Sequence, residues 1–275
     1  MTTELECSGE RMIEDAYRQT PGGRAIYLMH IASYRFAMPY CKGKRVLDLG
    51  CGSGYGAALI AETAISVTAV DVSAEAIAYA NNHYRNSRIS FTRIEKDKPL
   101  PFANESFDVI LSFQVIEHVA DTETYLWEAA RVLTSEGTLI LITPDRTHRL
   151  LPGQRPWNRW HLKEYDSESC CHMVASSAFV PEKVLCMHAP AELANLELKR
   201  YARLKWLTFP FTFPGAPERW RQFGLGLLHA INNQKSTQGN TQHAAFSFDE
   251  HNISFTETGS PSLNIVVIAH RNRPV

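Results

Sequence analysis

Paired cysteines, long apolar runs and net charge are what this 275-residue sequence has least of. Its six cysteines (Cys7, Cys41, Cys51, Cys170, Cys171, Cys186) include no C-x-x-C pair, and the adjacent Cys170 and Cys171 cannot readily bridge each other. That excludes a disulfide framework and fits reduced thiols in a cytoplasm. No apolar run approaches the ~20 residues of a membrane-spanning helix. The opening residues MTTELECSGER are acidic and polar with no apolar h-region, so no secretory signal is expected. A formal charge of −1 marks no whole-chain nucleic-acid binder. What is present, 44% hydrophobic and 21% charged residues, suits a globule with a real core, as one large domain or two small ones.

From Lys44 onward, strand-length apolar runs alternate with helix-length segments. VLDL (46–49), SVTAVDV (66–72), ISFTRI (89–94), FDVILSF (107–113) and TLILIT (138–143) read as strands. GYGAALIAETA (54–64), SAEAIAYANNHY (73–84) and TETYLWEAARVL (122–133) read as helices, the second with Ser73 as N-cap in an imperfect capping box. Such alternation predicts an α/β, doubly wound, mostly parallel sheet with ligands at the carboxyl ends of its strands. A glycine loop, RVLDLGCGSGYGAA (45–58), follows the first strand at that position.

Gly52, Gly54 and Ala57 satisfy the G-x-G-x-x-G/A dinucleotide spacing, so spacing alone does not identify the ligand. Asp48 does more. A carboxylate at the mouth of the loop repels a pyrophosphate 5–6 Å away by about 3 kcal/mol at an effective dielectric of 20. A triphosphate also lacks its G-K-[ST]. A cationic, phosphate-free ligand such as S-adenosylmethionine would gain from Asp48. Asp71, at the end of the second strand, suits the hydroxyls of an adenosine ribose in either cofactor class.

VLDLGCGSGYG, AVDVS and PLPFANESFDVI, in that order, resemble the class I S-adenosylmethionine-dependent methyltransferases, over about Gly9 to Val180. The resemblance implies a seven-stranded Rossmann-like sheet, with Asp48 and the loop (Gly50, Cys51, Gly52, Ser53, Gly54) around the methionine end and Asp71, beside Val72, on the ribose. It implies an acid for the adenine amino group as well. Lys96 aligns there, and the choice between its neighbours Glu95 and Asp97 stays open. Gln114 is expected to touch the cofactor, and Arg11 to pair with its carboxylate if the N-terminal segment folds over the site.

GER (9–11), HIASY (30–34), SFQVIEH (112–118), TPDR (143–146) and NRWHLKE (158–164) further resemble a bacterial subgroup associated with glycan and surface-polysaccharide biosynthesis. Asp145 and Arg159-Trp160 depart from that subgroup's pattern, in the region expected to receive the acceptor. The implied activity is O-methylation of a saccharide or lipid-linked intermediate. The alternatives are a quinone or other small-molecule acceptor, or a cofactor-binding protein without catalysis. His161 and His118 are the candidate bases. Glu117-His118 is similar to a magnesium-binding pair of some RNA 2′-O-methyltransferases, but adjacent residues usually diverge and a divalent ion needs more ligands, so no metal is expected.

Residues 1–275 are read as a single domain. A helical cap (1–43, with Tyr17, Tyr27, His30 and Tyr34) precedes a cofactor-binding core (44–187), an insertion or lid (188–245) and closing strands (246–275). Within the insertion, Pro217 can open a helix with Trp220, Phe223, Leu227 and Ile231 on one face, after Lys199, Arg200, Arg203 and Lys205. Either that helix packs on the domain, or 204–231 makes a peripheral contact at the inner face of a membrane.

Overall fold

The computed structural model describes residues 20–236 and 246–272. Arg11 and the GER segment, Tyr17 and residues 237–243 of the polar stretch lie outside the described residues. Helix α1 (Pro21–Cys41) starts with proline at its first position and with Thr20 Oγ1 accepting the Gly23 N–H, so Pro21-Gly22-Gly23 opens a helix rather than breaking one.

Strands β1 (Arg45–Leu49), β2 (Ser66–Asp71), β3 (Ile89–Arg93), β4 (Phe107–Phe113) and β5 (Leu133–Pro144) run parallel. β6 (Phe179–His188), β7 (Ser254–Thr256) and β8 (Asn264–Arg271) complete the sheet in the order β3-β2-β1-β4-β5-β8-β6-β7. β8 runs antiparallel to both β5 and β6, and β7 antiparallel to β6. The expected seven strands are therefore eight in a mixed sheet, because the three residues of β7 add their own edge to β6 (Cys186 opposite Thr256). The strand order reverses between β1 and β4, which puts the loop after β1 at the topological switch point.

Two apolar layers follow from the period-2 alternation of buried strands. Val46, Val109, Leu111, Ile140 and Val266 face α1, α2 (Tyr55–Ile60) and α7 (Ala191–Thr212), while Leu47, Ile110, Leu139, Leu141 and Val267 face α4 (Thr122–Val132) and α6 (Ser167–Ala175). Between these come α3 (Ala74–His83), capped by Ser73 Oγ as expected, and the single turn α5 (Arg146–Arg149). α2 is shorter than its sequence suggested, and β5 starts at Leu133 rather than 138 because the chain passes from α4 straight into the strand. α8 (Glu218–Ser236) follows Pro217. No helix among the described residues is long and apolar enough to cross a membrane, and the described cysteines are all free.

Candidate active site

The loop from Gly50 to Gly54 spends its amides internally. Gly50 N–H and Cys51 N–H both donate to Val70 O, Gly52 N–H donates to Asp71 Oδ2, and Gly54 N–H donates to Cys51 O. A pyrophosphate cradle needs such amides unpaired, so these four are not available to an anion. The glycines also divide by role. A Cβ on Gly50 would sit 2.3 Å from Val115 Cγ2, one on Gly54 2.8 Å from both Ala80 Cβ and Phe91, and one on Gly56 2.0 Å from the Tyr34 ring. These three admit close neighbours. Gly52, at φ +53°, has open space where its Cβ would be, and is the loop residue beside which a ligand has room.

Asp48 is 1% exposed, and among the described residues its hydrogen-bond partner is the Tyr34 hydroxyl, 3.3 Å from each carboxylate oxygen. Burial pushes its pKa up to about 7, opposed by the Tyr34 hydrogen bond and reinforced by the Asp71 carboxylate. A buried carboxylate without a cation is costly, and a cationic ligand supplies what is missing. Tyr34 packs edge-on to Tyr55 and Phe113, and His30 Nδ1 lies 2.8 Å from the Tyr55 hydroxyl. The H-x-x-x-Y pair thus braces the loop from α1. Gly56→Ala should expose this packing. Alanine gains about 1 kcal/mol of helix propensity over glycine, so a net loss of about 1–3 kcal/mol in urea unfolding is expected from overpacking against Tyr34. Unchanged or increased stability would contradict the close approach.

Asp71 is held by two amides, Gly52 N–H on Oδ2 and Ser73 N–H on Oδ1, which fixes its rotamer while leaving further lone pairs. Val72 beside it is exposed. Ile94 N–H donates to Asp71 O, so Glu95 follows directly on the Asp71 backbone, and Asp97 lies two residues on, at φ +58°. Both acids are exposed, and the structure brings each to this end of the sheet without choosing between them. Ser53 and Cys51 are buried, the thiol's pKa raised chiefly by burial. Gln114 ends β4 at φ +57°, a conformation a non-glycine residue rarely adopts, and its N–H is tied to Ile142 O.

Val115, packed on Gly50, leads directly into a 3-10 turn, Ile116–His118. Glu117 is fully buried there, with its Oε2 accepting the Thr143 hydroxyl at 3.0 Å and its Oε1 lacking a partner. Burial raises its pKa. His161 is buried, with Nδ1 2.7 Å from Glu164 Oε1, and Glu164 accepts Arg149 Nε and Nη2 at 2.8 and 2.9 Å. Although burial opposes it, Arg149 and His161 together hold the Glu164 carboxyl down at about 2. His118 Nδ1 lies 3.2 Å from Trp160 O, and its ring meets that of His161 edge-on at 4.8 Å. Burial, with His161 next, lowers the His118 pKa to about 4. One potential ligand atom from each of Glu117, His118 and His161 lies within 4.8 Å of the others. The expectation that Glu117 and His118 diverge does not hold, and Asp121, not this turn, caps α4.

The other motif residues have structural work. Asp145 caps α5 through Thr147 N–H, and His148 is 3.4 Å from Ser260 Oγ, apart from the histidine cluster. The loop around His161 is gripped from α8. Buried Arg221 donates to Pro156 O, Asn158 O and His161 O, while Gln222 donates to Arg159 O. Sequence reasoning passed over Arg221 and Arg149, and had Thr143 and Glu164 only as members of the TPDR and NRWHLKE motifs, with no role assigned.

A switch-point loop with four spent amides, a buried acid with no cation beside it among the described residues, and a second acid at the end of β2 suit a cationic nucleoside. Comparison with known proteins agrees. A methyltransferase-domain family model matches residues 47–141. The chain is 34% identical to a probable S-adenosylmethionine-dependent methyltransferase of Mycobacterium tuberculosis over 189 residues, 68% of this chain and 66% of that protein. It is 30% identical to one of Mycolicibacterium smegmatis over 200 residues, 72% and 75% of the two chains. A ubiquinone biosynthesis O-methyltransferase of Rhizobium leguminosarum is 36% identical over 107 residues, 38% of this chain and 42% of that one. The fold is that of an S-adenosylmethionine-dependent methyltransferase from Mesorhizobium loti (TM-score 0.55, 16% identity, 89% and 100% of the chains). The chain belongs to the class I S-adenosylmethionine-dependent methyltransferases, and S-adenosylmethionine is its cofactor. The residues present fit it: Asp48 awaits a positive charge and Gly52 leaves room beside it.

Proposed function

We propose that the protein methylates a hydroxyl of a small, lipid-soluble acceptor, bound between the glycine loop and the cluster of Glu117, His118, His161 and Glu164. The observation that carries this reading is the 2.7 Å contact of His161 Nδ1 with the buried Glu164 carboxylate. Bound S-adenosylmethionine supplies an already activated methyl on a sulfonium. What the chain must add is alignment and a place for the hydroxyl proton. With Nδ1 held by Glu164, His161 takes that proton at Nε2, and Glu164 stabilises the imidazolium that forms. His118, packed against it, stays neutral. Asp48 holds the methionine ammonium, Asp71 the ribose, and Glu95 or Asp97 the adenine amino group.

A hydroxyl acceptor is supported by the ubiquinone O-methyltransferase likeness over the cofactor-binding stretch. Lipid solubility is supported by the outer face of α7 and α8, where Trp206 is 64% and Phe223 66% exposed, with Leu207, Trp220 and Leu227 also exposed beside Lys199, Arg203 and Arg219. Aromatic and basic side chains together suit a lipid interface. A lipid-linked saccharide is the second reading, favoured by the same face.

The test is transfer of labelled methyl from S-adenosylmethionine into fractionated bacterial extract. Label is expected in a lipid-extractable, sugar-free hydroxyl compound. Label in a saccharide-bearing lipid selects the second reading, and label in water-soluble saccharide or protein overturns both. His161→Ala should lower kcat by about 10²–10⁴-fold with cofactor affinity unchanged. Equal turnover would remove His161 as the base.

A further inference from the structure

We infer that the outer face of α7, together with the start of α8, docks on an anionic phospholipid surface. This deepens the reading above and rests on it only for what the docked enzyme would collect there. On α7 the buried residues Leu193, Ala194, Glu197, Tyr201, Thr208 and Thr212 share one side. At about 100° per residue, Lys199, Arg203, Trp206, Leu207 and Pro210 form a stripe on the opposite side. A helix packed on one face is expected to be polar on the other. Here the outer stripe is basic at its start and apolar at its end, and all five of its residues are exposed.

α8 continues that surface. Trp220, Phe223 and Leu227, at helical spacing, are exposed as well. The Trp220 indole N–H donates to Pro210 O at 3.0 Å. Its ring lies 5.4 Å from that of Phe211 and stacks with Phe223 at 6.5 Å, which joins the two stripes. Single exposed apolar side chains are ordinary, whereas a contiguous group of this kind marks a contact.

Charge indicates with what. From Leu198 to Ser247 the chain carries seven Lys or Arg and a single acid, Glu218, although its overall formal charge is −1. Glu218 is spent on Arg155 and Arg221. Lys199, Arg203 and Arg219 are exposed, with no ion pair among the described residues. A second copy of this chain would bring the same bases and no acids to meet them. A nucleic acid finds no stacking partner in Leu207, Pro210 or Leu227. An anionic bilayer suits both halves, its headgroups taking the bases and its interfacial region the indoles and the phenyl ring.

The face is tied to the site. Arg221, next to Trp220 but turned inward, holds the carbonyls of Asn158 and His161, and Gln222 holds that of Arg159. The loop so gripped exposes Trp160 and Leu162 in turn. Docking therefore puts the loop of His161 one helix away from the lipid.

Co-sedimentation of the full-length protein with vesicles reads this without any turnover. Binding is expected to vesicles of equal parts phosphatidylcholine and phosphatidylglycerol, and should weaken by about 10-fold or more on phosphatidylcholine alone. Lys199→Gln with Arg203→Gln should weaken binding to the anionic vesicles by about 25-fold, at about 5-fold per base. Trp206→Ser with Phe223→Ser should weaken it by about 10-fold or more. All four positions are exposed, and unchanged S-adenosylhomocysteine affinity is the control for folding. No binding to the anionic vesicles, or variants that bind like the wild type, would overturn the inference. So would a face that joins two copies in sedimentation velocity, or takes a single-stranded oligonucleotide, while ignoring vesicles. Failure of vesicle binding leaves the proposed activity standing, and failure of methyl transfer leaves the vesicle result intact.

Discussion

Asp48→Asn is expected to weaken S-adenosylmethionine binding by roughly 30- to 700-fold, corresponding to about 2–4 kcal/mol for losing the charged partner of a buried cation. The same change should make the ligand-free protein more stable at pH 8. Asp48 is 1% exposed and, among the described residues, is hydrogen-bonded by the Tyr34 hydroxyl, and burial raises its pKa from 3.8 to about 7. A carboxyl whose pKa is higher folded than unfolded favours the folded state fully below about pH 4. That contribution is lost as pH rises through about 7. Ligand-free wild type should therefore lose stability across that window, and the asparagine variant should lack this slope. Cofactor affinity runs the other way, rising with pH through about 7 as the carboxylate forms, and this rise too should vanish in the variant. Calorimetric titration at pH 6, 7 and 8, with thermal melts of the ligand-free proteins, measures both. A pH-independent wild-type affinity, or a variant within threefold of wild type, would show that Asp48 does not meet the cofactor's charge.

The place of Asp48, in β1 just ahead of the glycine loop, was legible in the sequence. The parallel core was legible too: FDVILSF (107–113) coincides with β4, and Ser73 caps its helix as its position suggested. The roles of the glycines were not. G-x-G spacing cannot tell a residue that admits Val115 or Tyr34 from one that leaves a ligand room, since that depends on neighbours more than 20 residues away in sequence, and only Gly52 is of the second kind. The closing strands expected over 246–275 contain both β7 (Ser254–Thr256) and β8 (Asn264–Arg271), so it was the total of seven implied by the resemblance that fell one short. His118 and His161 were singled out in the sequence, but that they meet each other and Glu117 was not. The dispersal expected of adjacent Glu117 and His118 is a local rule, and it is overridden by burial of the glutamate under Thr143 and by the loop that returns His161 to the turn. Arg221 gave no signal at all. In sequence it is one more basic residue in ERWRQF, yet it is buried and holds the loop 60 residues before it.

Glu164→Gln should be the most damaging single change at the cluster, lowering kcat by about 10²–10⁴-fold and stability by about 3–5 kcal/mol. Glu164 stands between Arg149, which gives it two hydrogen bonds, and His161, and all three are buried. Glutamine keeps the shape but not the charge, so the Arg149 guanidinium is left buried and uncompensated. Its stacking on Trp157 at 4.4 Å and Tyr201 at 5.0 Å offsets only part of that cost. Glutamine also presents an N–H where His161 needs an acceptor, which frees the imidazole to rotate or to take the wrong tautomer. Since His161 accepts the proton at Nε2, the defect lies in the ring's orientation. The catalytic loss should therefore exceed what reduced stability explains. Urea unfolding, S-adenosylhomocysteine titration and kcat measured well below the variant's melting temperature separate the two. Unfolding lowered by several kcal/mol with kcat preserved would make Glu164 a structural partner of Arg149 alone and take away the observation on which His161's role rests. With kcat lost and cofactor affinity retained, the acceptor side of the site lies at the loop gripped by Arg149 and Arg221.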